Sequence, residues 1–185
     1  MNKVVIVAGC TRTGKTTLSR RLREKGFNHY KMDTIKRGIE NNFINKKYKW
    51  WRTVSPKMAK LIERIILESR TDLTYEDNYV IDTTHVCPKD LAKLNLENVI
   101  IVFLGYPNIT KEEKLNNIRK YDKSHTWSNT KSDEFFLKST PLDIKYSKDA
   151  LKECKQYNIA FFDTGKNFKE TIDKAYKYIE ERLGE

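Results

Sequence analysis

Glycine is scarce in this chain, with seven in 185 residues, so a glycine-bounded turn that fits a binding motif is hard to dismiss as chance. Cysteine is scarcer: Cys10, Cys87 and Cys154 are the only three. They have no CxxC spacing and no even count to pair. That argues against a disulfide framework and a zinc site, and for a reducing compartment. No apolar run approaches the roughly 18–20 residues that cross a bilayer, so no membrane partner is expected. Val7-Ala8-Gly9-Cys10 looks like a lipoprotein cleavage site, but the apolar stretch before it covers only residues 4–8. A signal peptide carries roughly 7–15 apolar residues there. The expected location is the cytoplasm. Repeats, low-complexity linkers and any mark of a second domain are missing too. Residues 1–185 are therefore read as one domain, long enough for a sizeable core.

What the chain has in excess is positive charge. Lys and Arg number 36 against 25 Asp and Glu, a formal net charge of +11. Such a surface attracts nucleotides, sugar phosphates, nucleic acid or acidic headgroups. The plainer reading is that Lys and Asn crowd an ordinary surface. The lysines are spread along the chain, whereas a nucleic-acid footprint is normally a stripe or block. Nucleic acid is thus an admissible partner but not the favoured one. With 38% hydrophobic and 33% charged residues the balance is polar yet globular.

Short β-branched runs alternate with helical patterns, which implies a parallel sheet covered by helices. Strands are predicted over 4–8, 27–31, 79–81, 99–104 and 159–162, and helices over 15–25, 111–123, 147–157 and 168–183. A further helix is predicted to start at Ser55-Pro56, with Met58, Leu61, Ile62, Ile65 and Ile66 at helical spacing. Gly26 is expected to end the first helix. The result is a three-layer α/β/α sandwich on five strands. Two segments fit the alternation poorly, one over 41–54 and one over 121–144. Insertions of this kind usually sit at the carboxyl ends of the strands, where ligands bind.

Gly9-Cys10-Thr11-Arg12-Thr13-Gly14-Lys15-Thr16 matches G-x-x-x-x-G-K-[ST] without a gap, directly after a predicted strand and directly before a predicted helix. Gly9 lets the chain turn sharply, and Gly14 lets backbone approach phosphate closely. Amides from about Thr13 to Thr17 form an anion nest at the helix N-terminus. Thr11 and Arg12 complete the loop, and the Arg12 side chain points either to nucleotide or to solvent. Lys15 reaches the β- and γ-phosphates, and the Thr16 hydroxyl can ligate Mg²⁺. ATP with Mg²⁺ is the expected cofactor pair.

The loop alone does not separate kinases from GTPases or motor ATPases. A GTPase normally carries Asn-Lys-x-Asp and Asp-x-x-Gly, but Asn45-Lys46-Lys47-Tyr48 and Asp82-Thr83-Thr84-His85 fit neither. A motor ATPase usually ends a strand in Asp-Glu, and here Asp82 is followed by threonine. Nearly the whole chain resembles the nucleoside-monophosphate-kinase-like group, which includes adenylate, shikimate and gluconate kinases. The resemblance is carried by the phosphate loop, Tyr30-Lys31-Met32-Asp33, Tyr79-Val80-Ile81-Asp82-Thr83-Thr84-His85, and a basic helix before Phe161-Phe162-Asp163-Thr164-Gly165. It implies a P-loop NTPase sheet in the order 2-3-1-4-5, with a lid region over about 108–144.

On that resemblance Asp33 binds the acceptor hydroxyl and takes its proton. It can also cap a helix starting at Thr34. Asp82 is placed for a water-mediated Mg²⁺ contact, or for an Asx-turn with Thr83 or Thr84. His85 and Arg37 are candidates for acceptor binding. His85 can equally be a surface residue, and Lys36 beside Arg37 suits an acidic acceptor. Lys111, Lys114, Arg119, Lys120 and Lys123 populate the lid helix, where Arg119 is the best candidate for a catalytic clamp on the transferring phosphoryl group. Lysine dominates where adenylate-kinase lids carry several arginines, which argues against an ordinary nucleoside-monophosphate acceptor. Tyr48, Trp50, Trp51 and Arg52 form an aromatic-basic cluster suited to base stacking or to packing. Asn167 with Glu170 suits a capping box on the last helix.

The function expected is an ATP-dependent phosphotransferase acting on a small-molecule acceptor: a nucleoside, nucleotide, sugar or sugar phosphate. A polynucleotide 5′-hydroxyl kinase would use the same groups. A nucleotide-binding module without transfer is the third reading.

Overall fold

The protein is described by a computed structural model covering residues 3–41, 51–71, 77–94, 96–121 and 127–184, with backbone alone at 51–53 and 127. Five parallel strands form one sheet: β1 (Val4–Gly9), β2 (Asn28–Lys31), β3 (Tyr79–Thr83), β4 (Val99–Gly105) and β5 (Ala160–Asp163). Their order is β2-β3-β1-β4-β5, as expected. Among the described residues seven helices accompany them: α1 (Lys15–Glu24), α2 (Met32–Ile39), α3 (Trp51–Ser69), α4 (Pro88–Leu91), α5 (Lys111–Tyr121), α6 (Asp133–Gln156) and α7 (Phe168–Leu183).

The central strand shows why the chain folds in three layers. Every residue of β1 is buried, and its side chains divide by parity. Val4, Ile6 and Ala8 join the cluster containing Met58, Ile62 and Ile66 of α3 and Tyr146, Ala150 and Cys154 of α6. Val5 and Val7 join Leu18 and Leu22 of α1 and Ile172, Ala175 and Ile179 of α7. Alternate residues of a strand point to opposite faces, so a strand apolar at both parities needs a helical layer on each side. Fully burying each such Val or Ile contributes roughly 1.5–3 kcal/mol.

Register then sets the site. Val7 and Lys31 both pair with Asp82, Gly9 pairs with Leu104, and Gly105 pairs with Asp163. All five strands are parallel, so their carboxyl ends form one rim, and β1 runs from that rim into α1. Helix α1 closes as predicted at Gly26, which has φ +91°. The Gly26 amide bonds the Arg23 carbonyl and the Phe27 amide reaches back to Leu22, the paired bonds of a left-handed helix stop.

Two helices start well ahead of expectation. Helix α3 starts at Trp51, ahead of Ser55-Pro56, and Pro56 lies in its second turn. Ser55 caps nothing. Its buried hydroxyl donates to Asp90 and accepts from the Cys87 amide, tying α3 to α4. Helix α6 starts at Asp133, fourteen residues before the predicted start at 147. Ser132 caps it by accepting from the Phe135 amide, and Asp133 and Glu134 occupy the first turn. Pro141 lies exposed within α6 and does not end it.

Candidate active site

Between β1 and α1 the chain makes a turn that depends on three left-handed or mirror-region residues: Gly9 (φ +146°), Arg12 (φ +64°) and Gly14 (φ +95°). A Cβ on Gly9 would lie 2.0 Å from the Leu104 carbonyl oxygen of β4. On Gly14 it would meet Phe168 and Ile172 of α7 at 2.8 Å, so the absent methyl there makes room for a helix as well as a turn. Gly14 occupies the N-cap position of α1 without a side-chain cap, and no acidic residue lies in the first turn. The helix therefore presents its first amides and its positive dipole end uncompensated, which favours an anion.

Loop side chains turn back on the loop itself. Lys15 Nζ donates to the Cys10 carbonyl at 2.8 Å, and Thr13 Oγ1 donates to the same oxygen at 3.0 Å. Two further carbonyls are held from elsewhere: the Tyr106 hydroxyl donates to Thr11 O at 2.9 Å, and Lys114 Nζ donates to Arg12 O at 2.8 Å.

In the first turn of α1, Thr16 Oγ1 donates to Asp82 Oδ2 at 2.8 Å. Burial works to raise the Asp82 carboxyl, but His29, the Lys15 charge and the Thr16 bond together hold it below its ordinary value. His29 Nε2 stands 3.7 Å from the same oxygen, its side chain only 5% exposed. Sequence reading missed His29. The one available signal was a histidine on β2 two residues before Lys31, the register partner of Asp82.

Across the cleft, Asp33 lies in the first turn of α2, which starts at Met32, so it does not cap a helix beginning at Thr34. Its Oδ2 accepts from Thr84 Oγ1 at 3.2 Å, while Oδ1 faces His85 Nε2 at 3.7 Å with no hydrogen-bond partner among the described residues. Burial lowers the His85 pKa, with Lys36 and Lys15 adding to the effect and Asp33 and Glu40 opposing it. His85 is therefore neutral at neutral pH and able to accept a proton. Arg37 Nε donates to the Asp33 carbonyl at 3.2 Å, and Lys36 is paired with Glu40 at 2.7 Å.

A cleft of about 990 Å³ joins these groups. Its walls include Thr11 to Thr17, Asp33, Arg37, Asp82 and His85, which brings together every predicted site residue except Gly9, at the strand end, and Arg119. Helix α5 turns Lys114, Asn117, Ile118 and Tyr121 to the cleft. Arg119 follows Ile118 by one residue, about 100° further around the helix, and so points away. Its guanidinium is held by Asp133 Oδ1 at 2.6 and 2.8 Å and by the Lys131 and Ser128 carbonyls. In this arrangement it closes the α5–α6 corner, and among the described residues its hydrogen bonds run to Asp133, Lys131 and Ser128 rather than to the phosphate loop. Lys123, Tyr48 and Trp50 lie outside the described residues, as do the side chains of Trp51 and Arg52. Asn167 occupies the N-cap position of α7 but makes no side-chain cap bond, and Glu170 pairs with Lys174 instead, so no capping box forms.

The arrangement is an anion cradle, a threonine–aspartate pair beside it, and a carboxylate–imidazole pair opposite. No family model and no curated protein matches the sequence. Solved structures do match the fold along its whole length. Shikimate kinase from Bacteroides thetaiotaomicron superimposes with a TM-score of 0.54 at 16% identity, covering 99% of both chains. The fold is that of the P-loop kinases. TT1252 from Thermus thermophilus shares it with a TM-score of 0.50 at 15% identity, covering 98% of each chain. The P-loop kinase sheet order explains the geometry: β1 and β3 are neighbours, so the loop following one and the carboxylate ending the other must meet.

Proposed function

We propose that the protein is an ATP-dependent kinase that transfers the γ-phosphoryl group to a hydroxyl of a small-molecule acceptor. The observation that carries this reading is the single cleft with the uncapped loop amides and Lys15 at one end and the Asp33–His85 pair at the other. The far end of the cleft thus supplies a carboxylate and an imidazole that can receive an acceptor hydroxyl and its proton, as transfer requires.

Thr16 and Asp82 are already hydrogen-bonded to each other, and the carboxylate is held in its charged form. That donor set suits Mg²⁺, which is typically held by one or two protein oxygens, with waters and substrate phosphates completing the shell. Thr16 and Asp82 would hold Mg²⁺, and its charge would offset that of the β- and γ-phosphate oxygens. Lys15 leaves the Cys10 carbonyl to follow the migrating charge. Asp33 Oδ1, which has no donor among the described residues, accepts the hydroxyl proton as the acceptor oxygen attacks, and neutral His85 beside it orients that hydroxyl. The γ-phosphorus–oxygen bond to the β-phosphate breaks as the new ester forms, and ADP leaves with the displaced charge.

The test is an ATP-consumption screen over nucleosides, nucleotides, sugars and sugar phosphates, preceded by a binding measurement with Mg²⁺·ATP. Acceptor-dependent ADP release is expected, and no affinity for any magnesium–purine nucleotide would end the proposal. A second reading keeps the chemistry and replaces the acceptor with a polynucleotide 5′-hydroxyl. Arg20, Lys31 and Arg37 favour it, being exposed on the cleft wall with no carboxylate partner among the described residues. Salt-steep binding of a short single strand would distinguish it.

A further inference from the structure

The phosphate loop is supported from behind by residues that the transfer chemistry does not use. In a trans peptide the carbonyl of one residue and the amide of the next point in opposite directions, and none of the described peptide bonds is cis. The Tyr106 hydroxyl holds the Thr11 carbonyl, and the Lys114 ammonium holds the Arg12 carbonyl. Both carbonyls are thereby turned toward the body, which aims the Arg12 and Thr13 amides the other way. Between these two peptides lies Arg12 at φ +64°. For a non-glycine residue that conformation costs about 1–2 kcal/mol and persists only where its surroundings over-determine it.

The two donors form a unit. Tyr106 directly follows β4 and is 1% exposed, and Lys114 on α5 is 4% exposed, with Nζ 3.8 Å from the Tyr106 ring centre. A buried ammonium against an aromatic face, with a carbonyl as its hydrogen-bond acceptor, is an expensive arrangement for a residue that a basic surface helix could have left in water. Next to it Cys10 Sγ lies 3.2 Å from Ser147 Oγ of α6.

We propose that Lys114 and Tyr106 are positioning residues for nucleotide binding, fixing the Thr11 and Arg12 peptides so that the Arg12 and Thr13 amides face the phosphates of a nucleoside di- or triphosphate. The proposal rests on the nucleotide-binding reading above and adds the device that sets the loop's shape. It also gives Lys114 a role different from a clamp on the transferring group: it acts on ADP and ATP alike.

The titration of Lys114 supplies a readout that packing alone would not produce. Burial lowers its pKa to about 8, opposed by Cys10 and Asp143 and assisted by Arg12 and Lys15. Among the groups facing it, Cys10 is pushed up to about 11, Tyr106 well above its ordinary value, and Asp143 up to about 6. These three stay outside the window from pH 7 to 9, in which Lys114 loses its charge. Bound phosphates favour the charged form, so nucleotide affinity must fall as pH rises through about 8.

The experiment measures Mg²⁺·ADP and Mg²⁺·ATP affinity by calorimetry for the wild type, Tyr106→Phe, Lys114→Met and Lys114→Arg, with the melting temperature of each. Tyr106→Phe removes one oxygen and keeps the ring, so it tests the proposal even if Lys114→Met fails to fold. The expected result is a loss of about tenfold for both nucleotides in the first two variants, the worth of one hydrogen bond of ~1.4 kcal/mol. Lys114→Arg should stay within about threefold of the wild type. The alkaline decline of the wild type should be absent in Lys114→Met and Lys114→Arg. Unchanged ADP affinity in Tyr106→Phe and Lys114→Met, or a loss confined to ATP, overturns the proposal. A wild type that binds no nucleotide overturns the function proposed above instead, and the two failures are told apart by the wild-type titration.

Discussion

Replacing Gly9 by alanine tests the link between sheet and phosphate loop. The new Cβ would sit 2.0 Å from the Leu104 carbonyl oxygen, 3.0 Å from its carbon and 3.2 Å from its nitrogen, where ordinary contact begins near 3.4 Å. All three atoms are backbone of β4, and Gly9 is the register partner of Leu104, so no rotamer change relieves the overlap. Overpacking of this kind costs ~1–3 kcal/mol and the positive φ adds about 1–2. The rigid partner puts the total at the upper end, near 5 kcal/mol. For a chain of this size each kcal/mol lowers the melting temperature by about 2–4 °C, so a drop of at least about 10 °C is expected. Gly26→Ala is the internal control. Its φ is +91° but nothing lies within 4 Å of the added methyl, which leaves the backbone cost alone and a drop of about 2–8 °C. Differential scanning calorimetry of the two variants beside the wild type decides the matter. Gly9→Ala melting within about 3 °C of the wild type, or Gly26→Ala melting as low as Gly9→Ala, would refute the reasoning. Any folded Gly9→Ala protein should also have lost nucleotide affinity, because the strand shift moves the first residue of the loop.

Lys15→Ala should abolish phosphoryl transfer with little change in melting temperature, and near-normal turnover would remove the proposed function. Asp33→Asn should lower kcat by about 10²–10⁴ while leaving the KM for ATP within about threefold, since Asp33 contacts Thr84 and Arg37 and not the phosphate loop. An unchanged kcat would show that the carboxylate is not the proton acceptor. Asp143 predicts a pH effect on stability. Burial, only partly offset by the nearby Tyr106 hydroxyl and the Lys15 and Lys114 charges, raises its pKa from 3.8 to about 6. The folded state thus binds the proton more tightly than the unfolded one, and the contribution is full below pH ~4 and lost as pH rises through about 6. Asp143→Asn should flatten melting temperature against pH over that window, and an unaltered slope would count against it.

The sheet was legible because each strand's pattern is local: apolar at both parities in β1 and β4, and carrying an aspartate at or next to the carboxyl end in β3 and β5. The phosphate loop was legible because its motif needs its two flanking elements and both were visible. Asp33, Asp82 and His85 could be placed because parallel strands share one rim, so strand-end residues converge whatever the helices do. Arg119 lies away from the cleft for the opposite reason. Which side of α5 meets the cleft depends on how that helix packs on α6, and the first half of α6 was not recognised at all. Lys114 belonged to the same basic helix in the sequence, and nothing in its neighbours announced that it would be buried against Tyr106. Capping by Asn167 failed because a suitable residue at the right position still needs the right ψ, and ψ 67° turns its side chain from the amides it would cap.

The thiol inside the loop has one more consequence. Cys10 is 1% exposed and its pKa is about 11, so at neutral pH only about one molecule in ten thousand carries the thiolate that peroxides and alkylating agents attack. The loop is therefore shielded from such reagents, even though a sulfur atom sits in the middle of it. Whatever modification does occur must wait for the loop to swing open, which makes the rate of iodoacetamide uptake at this position a natural gauge of how often it does.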